Sequence, residues 1–136
     1  MSFNLLAILL AAASSMVIGT VWYQHAVFGR KWMSYTSVDP LKPKRPAMVY
    51  SLSFVSALIT AVVLSGVASL AHAQLGLDSL PAALVTASAL WLGFTAATSA
   101  VHYLFEGRQV GLFAISVGHQ LVTSLVMAVI LGLFGF

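Results

Sequence analysis

PAMVYSLSFVSALITAVVLSGVASLAHAQLGL, residues 46–77, contains no Asp, Glu, Lys or Arg. A helix needs roughly 20 apolar residues to cross the hydrocarbon core of a bilayer, and this stretch exceeds that. Residues 1–29, 79–105 and 109–136 are equally free of formal charge. The six Lys and Arg and three Asp and Glu therefore all lie in the connections. The sequence is 60% hydrophobic and 7% charged, with mean hydropathy +1.00; a soluble domain carries about 25% charged residues. These features predict an all-α integral membrane protein, a single four-helix bundle occupying residues 1–136. They leave no room for a separate soluble domain.

The expected spans are about 4–28, 47–71, 80–105 and 110–134. Between the first two lies a stiff loop with Pro40 and Pro43, and Pro46 suits the first turn of the second helix, where its missing N–H costs nothing. Asp78 or Ser79 can cap the third helix, with Pro81 near its first turn. Glu106-Gly107-Arg108 makes the tight turn into the fourth.

All six basic residues sit in the first and third connections: Arg30, Lys31, Lys42, Lys44 and Arg45, then Arg108. Short loops rich in Lys and Arg stay cytoplasmic. Both termini are therefore expected outside and both basic loops inside a bacterial inner membrane. The first apolar run has no basic residues before it, which favours an uncleaved span over a signal peptide. Trp22, Tyr23, His25, Arg30, Lys31, Trp32 and Arg108 form an expected collar at the inner interface, where an apolar ring with a polar edge is at home. The basic excess is a topology signal and gives no nucleic-acid footprint. With no cysteine, disulfides and thiolate metal sites are excluded.

Lipid is as apolar as Leu, so close packing and interhelical hydrogen bonds must hold such a bundle together. Each span carries small residues at four-residue spacing: Ala7, Ala11, Ser15 and Gly19; Ala57, Ala61, Ser65, Ser69 and Ala73; Ala89, Gly93 and Ala97; Ser124, Ala128 and Gly132. These ladders point to tight packing within the bundle or to association with a second membrane protein. The segments beginning at His25 and His102 also resemble each other, as parallel repeats would. Helices that end in a basic turn look alike for physical reasons as well.

Candidate chemistry lies in the polar stripes of spans three and four. Thr95, Thr98, Ser99, His102 and Glu106 follow the spacing of one helix face, and Ser116, His119 and Thr123 answer them from span four, with Gln120 beside them. His119 falls roughly 15 Å from the inner surface, near mid-membrane. Histidines on separate helices can hold haem or a divalent metal, so His25, His102 and His119 are candidate ligands. The plainer reading has His119 bonding across to Thr98 or Ser99, while Glu106 pairs with His102 or Arg108. The sequence requires no cofactor. Nucleophile elbow, phosphate loop and paired carboxylates are absent, which argues against an enzyme. No discontinuous span is expected, which argues against ion coupling.

Gly19-Thr-Val-Trp22-Tyr23 followed by Phe28-Gly29-Arg-Lys-Trp32-Met33 resembles the opening signature of a bacterial group of small four-helix membrane proteins. That group is catalogued as domain of unknown function seventeen-sixty-one. Trp91-Leu-Gly93-Phe94-Thr95-Ala-Ala-Thr98, with Tyr103-Leu-Phe105-Glu106-Gly107-Arg108, is similar to its second signature. The Gly118-His119 to Gly132 span is similar to its last helix. The resemblance covers essentially the whole chain and departs from the pattern at His102, where the pattern has Asn. It implies the four-span fold and carries no activity or site residue.

The resulting expectation is a structural or accessory subunit, packing against itself or a larger membrane complex within the lipid bilayer. The alternative is a ligand-binding membrane protein (haem, quinone or metal) or a small transporter, using the stripes of spans three and four.

Overall fold

The computed structural model describes residues 3–136. It is helical, with no β-strand among the described residues. Helix α1 (Leu5–Trp22) leads through a π-helical turn, His25–Gly29, into the short α2 (Arg30–Thr36). The long α3 (Pro46–Leu75) follows, then α4 (Ser79–Leu90), a second π-helical turn over Trp91–Ala96, and α5 (Ala97–Phe105). Helix α6 (Val110–Phe134) completes the bundle. Leu5–Trp22, Pro46–Leu75, Ser79–Phe105 and Val110–Phe134 are each long and apolar enough to cross a membrane.

The first span differs from the continuous helix expected over 4–28. It ends at Trp22, and Gln24 turns extended at φ −60°, ψ 143°. The chain then re-enters helix because the Gln24 carbonyl accepts from the N–H groups of both Val27 and Gly29, each at 2.9 Å. Gly29 makes this turn possible. A Cβ there would collide with the Tyr23 carbonyl and lie 2.8 Å from that of Gln24. Span three is also irregular, since the Trp91–Ala96 turn interrupts its α-helix. The expected 4–28 helix is broken after Trp22, whereas span three runs over Ser79–Phe105, close to the expected 80–105, with the π-helical turn inside it. Neither break contains a proline.

Pro46 occupies the first turn of α3 as expected. Asp78 stands at the N-cap of α4 but makes no side-chain cap hydrogen bond. Asn4 caps instead at the chain's start: its Oδ1 accepts from Ala7 N–H at 3.1 Å. Its Nδ2 donates to the carbonyls of Phe134 and Gly135 at 3.2 and 3.1 Å. One side chain thus serves orphan groups at the start of α1 and the end of α6, and brings the two termini to one end of the bundle.

Helix α1 packs on α3 and α6, and α4 packs on the same two, so α3 and α6 scarcely meet. The dense core lies in the half nearer the termini. There Ala7, Ala11, Ala61, Ala68, Ala83 and Ala128 have no exposed surface. Alanines let the backbones close on one another, and the gain is dispersion and lipid release rather than the hydrophobic effect. Gly132 marks the tightest approach: a Cβ there would stand 2.7 Å from Leu80 Cα.

The ladders of spans one, two and four contribute to this core, through Ala7, Ala11, Ala57, Ala61, Ser65, Ala128 and Gly132. The span-three ladder does not. Ala89, Gly93 and Ala97 are exposed, while Ala82, Ala83, Thr86 and Ala87 are buried.

Candidate functional site

Toward the basic loops the bundle opens. A cavity of about 690 Å³ lies among α1, α3 and α6, with the segment Val38–Pro43 at its mouth. Its floor is the alanine core, since Ala57 and Met127 belong to both. Helix α1 contributes Ser15, Gly19 and Thr20; α3 contributes Ser53, Ser56 and Thr60; α6 contributes His119, Gln120, Thr123 and Ser124. Tyr23, Trp32 and Tyr50 add aromatic wall, and Thr95 reaches in from the span-three π-turn. Asp39 is the one formally charged residue among the liners.

His119 is held by its aromatic neighbours, with its ring centroid 5.3 Å from Tyr23 and 6.1 Å from Trp22. A Cβ on Gly19 would touch its Nε2 at 3.5 Å, so the glycine leaves the imidazole just enough space. That Nε2 is buried and has no hydrogen-bond partner, and neither has the buried Oγ1 of Thr123, four residues on. Burial of an unpaired polar group costs about 1–3 kcal/mol. Ser65 Oγ in the alanine core is also buried and unpaired, but only His119 and Thr123 line the cavity, one helical turn apart on one face. The expected bond from His119 to Thr98 or Ser99 is not formed.

Two indoles set the position of α6. Trp22 donates its N–H to the Ile115 carbonyl at 3.1 Å, and Trp91 donates to the Val117 carbonyl at 2.9 Å. Trp22 also packs on Phe28, ring centroids 4.6 Å apart, and lies against Gly118, where a Cβ would meet its ring at 3.3 Å.

The mouth is pinned from α1's extension. His25 Nε2 lies 3.1 Å from Asp39 Oδ1, and the same oxygen accepts from Leu41 N–H at 2.9 Å. The Leu41 N–H, with His25 behind it, holds the Asp39 carboxyl below its ordinary range.

The stripes therefore divide. Thr95, His119 and Thr123 share the cavity. Thr98, His102 and Glu106 are exposed on the outer face of span three, with Ser99 half-buried. His102 Nδ1 lies 2.8 Å from the Thr98 carbonyl of its own helix, and Glu106 pairs with Arg108 at 2.6 Å. Ser116 accepts from the Tyr103 hydroxyl at 3.2 Å, and the Arg108 guanidinium lies over the Tyr103 ring, 5.4 Å from its centroid. Arg30 and Lys31 are exposed. The three candidate histidine ligands are not assembled: among the described residues no three His, Asp or Glu come together. The His25 and His102 segments differ locally, one opening a new helix after a break and the other lying within α5.

The cavity's hydroxyl wall on α3 and the Asp39 anchor were not singled out in the sequence. Ser53, Ser56 and Thr60 repeat at i, i+3 and i+7, the same signal that drew attention to span three.

The family model described as Protein of unknown function (DUF1761) matches residues 6–132. The chain belongs to this family. The match takes in all four spans and the whole cavity wall. No curated protein and no solved structure matches the chain.

Proposed function

We propose that this family member is a ligand-binding membrane protein whose cavity among α1, α3 and α6 holds a lipid-soluble small molecule. One observation carries the reading: the buried, unpartnered His119 Nε2 and Thr123 Oγ1 face a cavity of about 690 Å³. Ligand pockets run to about 300–1,000 Å³ and combine apolar wall with a few placed polar groups. A single imidazole with no second ligand beside it favours an organic molecule over a metal ion. In this reading the basic loops face the cytoplasm of a bacterial inner membrane, following the charge rule, and the mouth opens on that side. The test is purification from native membranes into nanodiscs, followed by mass spectrometry of the organic extract. Wild type should release one compound in near-stoichiometric amount, and Ser56→Trp, which fills the cavity from an exposed wall, should release none. Identical extracts from both proteins would overturn the reading.

A second reading, the structural or accessory subunit, is supported by the exposed Ala89, Gly93 and Ala97, with open space around Gly93. Small residues on a lipid-facing helix permit close association with another helix. Gly93→Leu should then disperse a complex that chemical cross-linking detects in the wild type. An unchanged cross-linking pattern would remove this reading.

A further inference from the structure

Four hydroxyls on the cavity wall have their protons committed to their own helices. Ser15 Oγ donates to the Ala12 carbonyl at 3.0 Å and Thr20 Oγ1 to the Met16 carbonyl at 2.9 Å. Ser53 Oγ donates to the Val49 carbonyl at 2.7 Å and Thr60 Oγ1 to the Ser56 carbonyl at 2.9 Å. A hydroxyl has one proton and two lone pairs. With the proton spent on its own helix, each of these four can only accept from a ligand. Asp39 adds a fifth acceptor: both of its bonds fall on Oδ1, which leaves Oδ2 available. Ser56, Thr95 and Ser124 also line the cavity without such a bond, and so does Thr123. It sits on α6 as Thr60 sits on α3, yet it makes no bond back to its helix and stays free to donate. The remaining possible donors on the wall are Ser56, Thr95, Ser124, His119, Trp32, Gln120 and two tyrosine hydroxyls.

Charge narrows the ligand further. Arg30, Lys31, Lys42, Lys44 and Arg45 surround this end of the bundle, but none lines the cavity. An anion drawn in would lose its hydration and meet only the Asp39 carboxylate, an arrangement that costs free energy twice over. A ligand that only accepts, such as an ether or ketone, could use Thr123 but would leave the committed hydroxyls unused. A hydroxyl group donates and accepts at a single uncharged atom, so it answers both kinds of wall.

Resting on the ligand-binding reading above, we infer that the cavity takes a neutral, lipid-soluble molecule bearing a free alcohol or phenol hydroxyl. Its O–H donates to the back-bonded hydroxyls of α1 and α3, and its oxygen accepts from Thr123.

One scaffold with three headgroups tests this. Biphenyl-4-ol, 4-methoxybiphenyl and biphenyl-4-carboxylate are titrated calorimetrically into the full-length protein in nanodiscs, with empty nanodiscs as the blank. The phenol should bind one saturable site about tenfold or more tighter than the methyl ether, the loss expected for one unmade hydrogen bond, and the carboxylate should not bind. Thr60→Val with Ser53→Ala should bring the phenol down to the affinity of the ether and leave the ether unchanged. If the ether or the carboxylate binds as tightly as the phenol, the hydroxyl assignment fails while the cavity reading stands. If none of the three binds to correctly folded protein, as judged by wild-type helical circular dichroism, both fail together.

Discussion

Trp91 donates its indole N–H to the Val117 carbonyl at 2.9 Å, joining the π-helical turn of span three to the middle of α6. The bond meets α6 two residues before the cavity liner His119, so it ties span three to the stretch of α6 that lines the cavity. Trp22 repeats the device from span one, two carbonyls earlier.

Loss of that bond should be felt as stability. Trp91→Phe keeps the ring and deletes the donor, and interhelical hydrogen bonds in membranes contribute about 1 kcal/mol. Reversible unfolding in mixed micelles should show a loss of that order. No change would mean that the indole fills space without holding the helix.

Glycine positions separate packed from open faces. Gly132→Ala places a Cβ 2.7 Å from Leu80 Cα, against backbone that cannot swing aside, and should cost about 1–3 kcal/mol through overpacking. Gly93→Ala meets nothing within 4 Å and should stay within about 0.5 kcal/mol of wild type. Paired unfolding curves in the same detergent distinguish the two. Equal losses would contradict the packing described for α4 and α6.

Acid should release the mouth. The Asp39 carboxyl is depressed in the fold, chiefly by the Leu41 N–H and then by His25. A depressed carboxylate contributes stability that is fully present above its unfolded value and disappears as pH falls through its folded value. The segment Val38–Pro43 should therefore be ordered at neutral pH and loosen only below the ordinary carboxylate range. The chain has no cysteine, so Val38→Cys gives a single nitroxide site whose mobility can be followed by electron paramagnetic resonance. Asp39→Asn should show the mobile spectrum at neutral pH; a spectrum unaffected by either change would remove Asp39 as the anchor.

Orientation can be read with the same single-cysteine approach. Val38→Cys should react with an impermeant maleimide only after the cytoplasmic face is exposed, and Ser79→Cys should react from the opposite side. The reverse pattern would invert the proposed topology.

Legibility differed from place to place for physical reasons. The small residues of α1, α3 and α6 were marked by spacing, and most of them are buried, Ala73 at the end of the α3 ladder being exposed. The same spacing on span three chose Ala89, Gly93 and Ala97, which are exposed, over Ala82, Ala83 and Ala87, which are buried. In water an apolar face betrays the side that turns inward. In lipid both sides are apolar, so spacing alone does not say which one faces a partner. His119 and Thr123 were legible as polar residues at membrane depth. Their separation from Thr98, His102 and Glu106 was not, because those three lie on the exposed face of span three.

Charge placement by itself determined the four membrane-spanning helices, since an unpaired charge in hydrocarbon is too costly to leave the pattern ambiguous. Only the tertiary structure decided that the first helix stops at Trp22, that the core fills just one half of the bundle, and that the other half is a cavity. The stop at Trp22 is fitted by Gly29 against the Tyr23 carbonyl within one turn, while the core and cavity rest on contacts between distant residues, Gly132 against Leu80 and the two indoles on α6. No local pattern encodes such contacts, because each depends on where a second helix comes to lie.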